Sequence, residues 1–271
     1  MDHTTMTRTM NKYASLAVLV ITGLLSACSG KEWAMQDLSG PIETSRVKFF
    51  NFGVNAPSVN FYADGTKMTA ITSTTGVEST TGVAYGGVGS GGAYASIAPG
   101  THALTGKIAA TTDKDLAIAT VNADIADGKY YSFYLSGFYN TTAKSVEGFV
   151  VEDNFTPQAD STITTVRFVH AISNANPMTL YAKNTTSGVE TAIGSEIAYK
   201  NAGAFVNIPA GVYDLSTRYT GSSTNALART GVSFVGRKVY TITARGDITV
   251  APTTTGCAAA NKTCLDNTAN R

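Results

Sequence analysis

The sequence predicts an all-β protein with two tandem β-sandwiches in a chain of 271 residues. Three observations predict it. Three blocks of sequence occur twice in the same order, the signature of an internal repeat. Each block is rich in β-branched and aromatic residues and is bounded by turn residues about every 8–12 positions, the pattern of a sandwich. After residue 27 no long stretch shows the helical period of apolar residues. Composition agrees: charged residues are only 14% of the chain, and Gly, Thr, Ser, Ala and Tyr are abundant, which suits short strands and turns.

Taken from the N-terminus, the first element is an export signal. Tyr13 to Ala27 (YASLAVLVITGLLSA) carries no charge and follows Arg8 and Lys12. A basic start, a short apolar core and small residues at its end read as a secretory signal peptide over residues 1–27. The run is too short for a spanning helix, which needs about 20 apolar residues. Leu25-Ser26-Ala27-Cys28 resembles the bacterial lipobox. That resemblance implies cleavage before Cys28, a lipid on its sulfur, and a chain held at a membrane by acyl groups. Ser29 rather than Asp follows the cysteine, which points to the outer membrane by the pattern of enteric bacteria. Residues 28–44 are then a tether.

The first repeat spans 45–152 and the second 164–250. VKFFNFGVNAPSVNFYA (Val47 to Ala63) lies over VRFVHAISNANPMTLYA (Val166 to Ala182) without a gap, at an offset of 119. GAYASIAPGTHAL (Gly92 to Leu104) lies over GAFVNIPAGVYDL (Gly203 to Leu215) at 111, and KYYSFYLSG (Lys129 to Gly137) over KVYTITARG (Lys238 to Gly246) at 109. Asp64-Gly65, between strand-like runs, predicts a two-residue hairpin. Residues 153–163, with Pro157, read as a polar linker. Residues 251–271 form a tail in which Cys257 and Cys264 are spaced for a small disulfide loop, as suits an exported chain.

These blocks carry a resemblance. V-[KR]-F-[FV]-[NH], N-A-P-S-V-N-F-Y-A-D-G, I-[AP]-[AP]-G before a strand, and G-K-Y-Y are similar to the bacterial domain-of-unknown-function family numbered 4397. The resemblance covers most of residues 45–250. It implies exported or surface β-sandwich domains, often in tandem and often on lipoproteins; the form expected for this chain is immunoglobulin-like or transthyretin-like. It brings no catalytic residues. Asn51 stands where the family tends to have His, and the second repeat has K-N-T-T-S-G in place of the D-G turn.

Motifs of catalysis are weak. Gly87 to Gly92 (GVGSGG) matches G-x-G-x-x-G, but AYASIAPG follows, which is a strand and a turn and not the helix a pyrophosphate site needs. Ser45 and Lys48 match S-x-x-K on a strand, where no helix brings them together. His102 and His170 fall at non-equivalent places in the repeats, so neither a Ser-His-Asp site nor a metal site is expected; His170 reads as a hydrogen-bonded group within a sheet. Asp113/Asp115 and Asp124/Asp127 are carboxylate pairs of the kind that hydrolyse glycans, here in turn contexts. Asp160-Ser161-Thr162 resembles an O-glycosylation acceptor of the Bacteroidetes.

What remains is binding. Removing residues 1–27 leaves 18 of the 20 basic and 18 of the 19 acidic residues, a balance with no basic field for nucleic acid. Flat rings stack on sugars, and Tyr130, Tyr134 and Tyr139 are the candidate binding face within the densest aromatic cluster. The expectation is a non-catalytic, lipid-anchored protein of the cell envelope that binds a glycan or an envelope protein, without cofactor or metal. The alternatives are a structural subunit of an envelope assembly and, behind it, a glycan hydrolase.

Overall fold

Val166 to His170 is an extended run in which all five side chains are buried, Arg167 included. A strand covered on one face buries every second residue, whereas one covered on both faces buries them all. The run from Ala119 to Ile125 shows the first behaviour, alternating covered and exposed positions. These two patterns describe the architecture.

The computed structural model describes residues 44–69, 81–250 and 263–270. Among them are eighteen strands and no α-helix. The first nine are β1 (Ser45–Asn51), β2 (Val59–Ala63), β3 (Thr66–Lys67), β4 (Gly87–Val88), β5 (Ala95–Ile97), β6 (Gly100–Ile108), β7 (Ala117–Ile125), β8 (Tyr130–Asn140) and β9 (Ser145–Glu152). The next nine are β10 (Ile163–His170), β11 (Met178–Asn184), β12 (Glu190–Ile197), β13 (Asn201–Ala202), β14 (Val206–Pro209), β15 (Gly211–Tyr219), β16 (Leu227–Phe234), β17 (Val239–Arg245) and β18 (Cys264–Ala269).

Adding nine to each label of the first half produces the second. The outer sheets run β3-β2-β6-β7 and β12-β11-β15-β16. The inner sheets run β4-β1-β8-β9 and β13-β10-β17-β18, with β5 on β1 and β14 on β10. In both, the first strand pairs parallel with the eighth, Arg46 opposite Tyr130 and Thr165 opposite Val239. The Pro-Gly segments do the same work twice. Ala98-Pro99 carries the chain from β5 in the inner sheet to β6 in the outer one, and Ala210 does so between β14 and β15. Asp64-Gly65 closes the expected two-residue hairpin, both residues at positive φ (48° and 83°), as a primed turn requires.

Three apolar cores separate four stacked sheets. Phe49, Phe61, Leu104 and Phe133 fill the first sandwich; Phe168, Leu180, Leu215, Phe234 and Ile242 fill the second. The third core lies between the two inner sheets. Phe50, Phe52, Tyr134 and Phe149 from the first half meet Val169, Ala171 and Ala202 from the second. The inner sheets are therefore buried on both faces. Tyr134 stacks between Phe50 (4.5 Å) and Phe149 (5.0 Å), each ring pair adding about 0.5–1.5 kcal/mol beyond its burial.

Two departures from the sequence reading concern boundaries. Residues 264–269 are not a peripheral tail: β18 is an edge strand of the second inner sheet, paired with β17 from Tyr240–Ala269 to Arg245–Cys264. The segment 153–163 is not a free linker either. Asp153 is buried, Ala210 N–H donates to Thr162 O, and Arg237 Nε donates to Ala159 O. Polar composition marked it as a connection, but its polar groups are used in packing it down.

Candidate functional site

β1 and β10 each carry a basic residue at the same place in an apolar run: Lys48 and Arg167. Alternation turns both away from their own core and into the joint between the inner sheets. Each is 1% exposed. Burying a charge is costly unless it is paired and hydrogen-bonded; Arg167 is both, and Lys48 is held by a hydrogen bond and an aromatic ring. The Arg167 guanidinium forms an ion pair with Asp153. Its Nε donates to Thr241 Oγ1 (3.0 Å), its Nη1 to Glu152 O (2.9 Å), and its plane lies 4.6 Å over the Phe205 ring. Asp153 also accepts from Ser132 Oγ (2.7 Å) and from the Tyr94 hydroxyl (2.5 Å). Lys48 Nζ donates to Ala269 O (2.9 Å) and sits 4.3 Å over the Tyr94 ring. Burial pulls the Lys48 ammonium down to about 8; Asp153 opposes the fall and Arg167 adds to it. Burial and then the Asp153 charge push the Tyr94 hydroxyl well above the ordinary phenol range.

A cleft of about 330 Å³ opens above this cluster, between the segment after β9 and residues 203–207. Asn154, Gln158, Thr165, Arg167, Phe205 and Asn207 line it. Asn207 Oδ1 accepts from Thr165 Oγ1 (2.8 Å) and Gln158 Nε2 (3.3 Å), which orients its amide. From Phe205 in the lining a row of rings runs through Phe155 and Tyr130 to Tyr94, with successive centroids 5.7, 5.4 and 5.0 Å apart. The row crosses from the first sandwich through the connection to the second. Planar amides beside an aromatic edge offer hydrogen bonds to hydroxyl groups and an apolar surface. The lining holds one carboxylate, Glu152, and no His or Cys. A second cleft of about 270 Å³ lies at another part of the joint's rim, against Phe50, Phe52, Val88 and Asp266–Ala269; there Arg245 pairs with Asp266 at 2.8 Å.

The three tyrosines of the candidate face do not form one face. Tyr134 is wholly buried in the joint, because the second sandwich covers the side of β8 that a lone sandwich would turn to solvent. Tyr139 packs half-buried against the first core. Tyr130 alone reaches the cleft's aromatic row, half-buried between Tyr94 and Phe155. Cys28 and Cys257 lie outside the described residues; Cys264 opens β18, 2% exposed.

The other candidates resolve locally. Gly87-Val88 is β4, and one 3₁₀ turn with Ser90 and Gly91 in left-handed conformation follows it, not an α-helix. His170 is buried, its Nδ1 accepting from Ile172 N–H and its Nε2 against Asn176 O (3.1 Å), and burial lowers its pKa. His102 Nδ1 meets Asp64 Oδ2 at 2.6 Å. Asp113 pairs with Lys144, Asp124 accepts from Thr101 and Asp127 from Thr44. None of Asp113, Asp115, Asp124 and Asp127 lines the cleft. Among the described residues no group of three or more His, Cys, Asp or Glu is placed to hold a metal.

Sequence reasoning set Lys48 aside with the S-x-x-K match and passed over Asp153 and Arg167. A signal was there: a basic residue inside VKFFN and again inside VRFVH, at the same repeat position in an otherwise largely apolar run.

Together these features define a two-sandwich all-β protein whose inner sheets meet over a buried charge cluster. Within it, residues 164–264 match the family described as Domain of unknown function (DUF4397). No curated protein matches the chain. Among solved structures it is similar to a leucine-rich repeat protein from Bacteroides thetaiotaomicron VPI-5482, at 13% identity over 81% of this chain and 26% of that one, with a TM-score of 0.19.

Proposed function

We propose that the chain is a non-catalytic lipoprotein of the bacterial cell envelope that binds a glycan or an envelope protein. The observation that carries this reading is Leu25-Ser26-Ala27-Cys28 at the end of an uncharged apolar run behind Arg8 and Lys12. In this reading residues 1–27 are removed, Cys28 receives the lipid, and Ser29 sends the protein to the outer membrane. Cys257 and Cys264 form a disulfide that leads into β18. Residues 45–152 are a second copy of the domain matched over 164–264, a reading supported by the identical strand order. The cleft lined by Asn154, Gln158, Phe205 and Asn207 is the recognition site, its amides donating to hydroxyl groups and its ring edge meeting an apolar face.

Two experiments test it. Labelled palmitate fed to cells expressing the full chain is expected to enter the protein and to be lost in Cys28→Ala. The chain from residue 29 onward, screened on a glycan array and in pull-downs from envelope extract, is expected to bind, with binding lost in Asn154→Ala and Phe205→Ala. A stable protein partner unaffected by both substitutions would move the protein to the assembly class, and released glycan fragments would make it a hydrolase.

A further inference from the structure

The contacts across the joint are reciprocal. By the repeat alignment Lys48 corresponds to Arg167, and Tyr94 to Phe205. Strand pairing adds two more correspondences: Tyr131 faces Glu152 and Tyr240 faces Ala269, so Glu152 corresponds to Ala269, and Asp153 to Asn270. Lys48 of the first half donates to Ala269 O of the second at 2.9 Å, and Arg167 of the second half donates to Glu152 O of the first at 2.9 Å. Each cation lies over the matching ring of its own half, at 4.3 and 4.6 Å. The residues after β9 and β18 are tied in the same way, Asp153 N–H to Tyr130 O and Asn270 N–H to Val239 O, both 2.7 Å. Contacts in which i touches j while the equivalent of j touches the equivalent of i are the mark of an isologous interface, the kind that joins two copies by a two-fold axis. Here one chain supplies both copies.

We propose that the joint is a self-association surface held within one chain, in which each sandwich is a ligand for the inner sheet of the other. The covalent connection then supplies only effective concentration, and the surfaces themselves supply the recognition. Their chemistry fits that role. Parting the halves would uncover Phe50, Phe52, Tyr134 and Phe149, all under 7% exposed now, as one apolar patch of the sort that marks an interaction site. It would also strip Arg167 of both its acceptors from the first half, Glu152 O and Asp153. The partner that fits such a patch is the inner sheet of the other half of the same chain. This inference is independent of what the cleft binds.

The test uses the whole chain with a protease site inserted between Pro157 and Gln158, both in the connection between β9 and β10. After cutting, size-exclusion chromatography with light scattering is expected to return one species of the uncut mass at micromolar concentration. The double substitution Phe50→Asp with Tyr134→Asp is expected to release two species after cutting, each keeping the circular dichroism of a β-sheet. Cut halves of the unsubstituted protein that separate while still folded would overturn the proposal, as would cut halves of the double variant that stay together. Calorimetry of the uncut, unsubstituted chain gives an answer that needs no variant to fold. One transition for both halves supports the proposal; two well-separated transitions overturn it.

Discussion

Lys48 and Arg167 occupy the same position in two copies of one architecture, yet they stand in different electrostatic surroundings. The difference is one carboxylate. Arg167 has Asp153 beside it, and the position matching Asp153 in the other copy is Asn270. Two cations are thus buried around a single anion. Arginine stays charged in any protein environment, so it holds the carboxylate. Lysine can shed its proton, and burial has already brought it down to about 8. The comparison teaches that one backbone contact, a basic side chain reaching across to a main-chain carbonyl, occurs in both halves while the charge balance around it differs.

The sharpest way to break this comparison is to remove the shared anion. Asp153→Ala leaves Arg167 and Lys48 without a counter-charge and the Ser132 and Tyr94 hydroxyls without their acceptor. Breaking a buried pair from one side costs about 3–5 kcal/mol, and urea unfolding is expected to show a loss of that size.

The next test is pH. The folded-state pKa of Lys48 lies near 8, below its ordinary value of 10.5, so between those values the unfolded chain binds more protons. Stability from this group therefore rises with pH across that window, by up to ~3 kcal/mol. The buried tyrosines oppose it above about pH 10: burial holds the Tyr134 hydroxyl up to about 12, so its contribution is lost as pH rises toward that value. Thermal unfolding of the wild type is expected to show increasing stability between about pH 8 and pH 10, and Lys48→Met is expected to flatten that slope. A Lys48→Met slope equal to the wild type would remove Lys48 from the account.

Asn270→Asp restores the missing symmetry by giving Lys48 a carboxylate of its own. Asn270 is 9% exposed, and its Nδ2 has no hydrogen-bond partner among the described residues. The exchange of desolvation against Coulomb attraction nearly cancels, so the expected change in stability at neutral pH is within about 1 kcal/mol, with the pH slope of Lys48 reduced. The smallest effect belongs to the outer sheets. Val212, 42% exposed at the start of β15, is expected to tolerate Val212→Thr within about 0.5 kcal/mol in the same unfolding assay.

How much of this was legible in the sequence depends on which face of a strand is asked about. The blocks of β-branched and aromatic residues and the Asp64-Gly65 turn announced strands and a hairpin because both are local: strand-forming side chains and positive φ need no distant partner. Tyr134 failed as a surface residue for the opposite reason. YYSFY has aromatic side chains on both faces, and one sequence cannot say whether the second face meets water, a loop or another sheet. Asp153 failed similarly. It stands in a polar stretch with a proline four residues on, which reads as a connection, and only the arrival of Arg167 and Tyr94 makes it the buried anion of the joint. The candidate cleft was missed because its lining comes from two halves of the chain, Asn154 and Gln158 from one side and Phe205 and Asn207 from the other.

By itself, then, the sequence determined the all-β class, the repeated blocks and their offsets, and the hairpin chemistry, because strand-forming composition, internal similarity and turn residues can be read without any tertiary contact. Tertiary structure alone decided that β18 completes the second inner sheet, that the two inner sheets bury each other, and that Lys48, Asp153 and Arg167 share one desolvated site. The reason is physical: strand pairing and burial of a second face are long-range events, set by surfaces that meet only once both sandwiches exist.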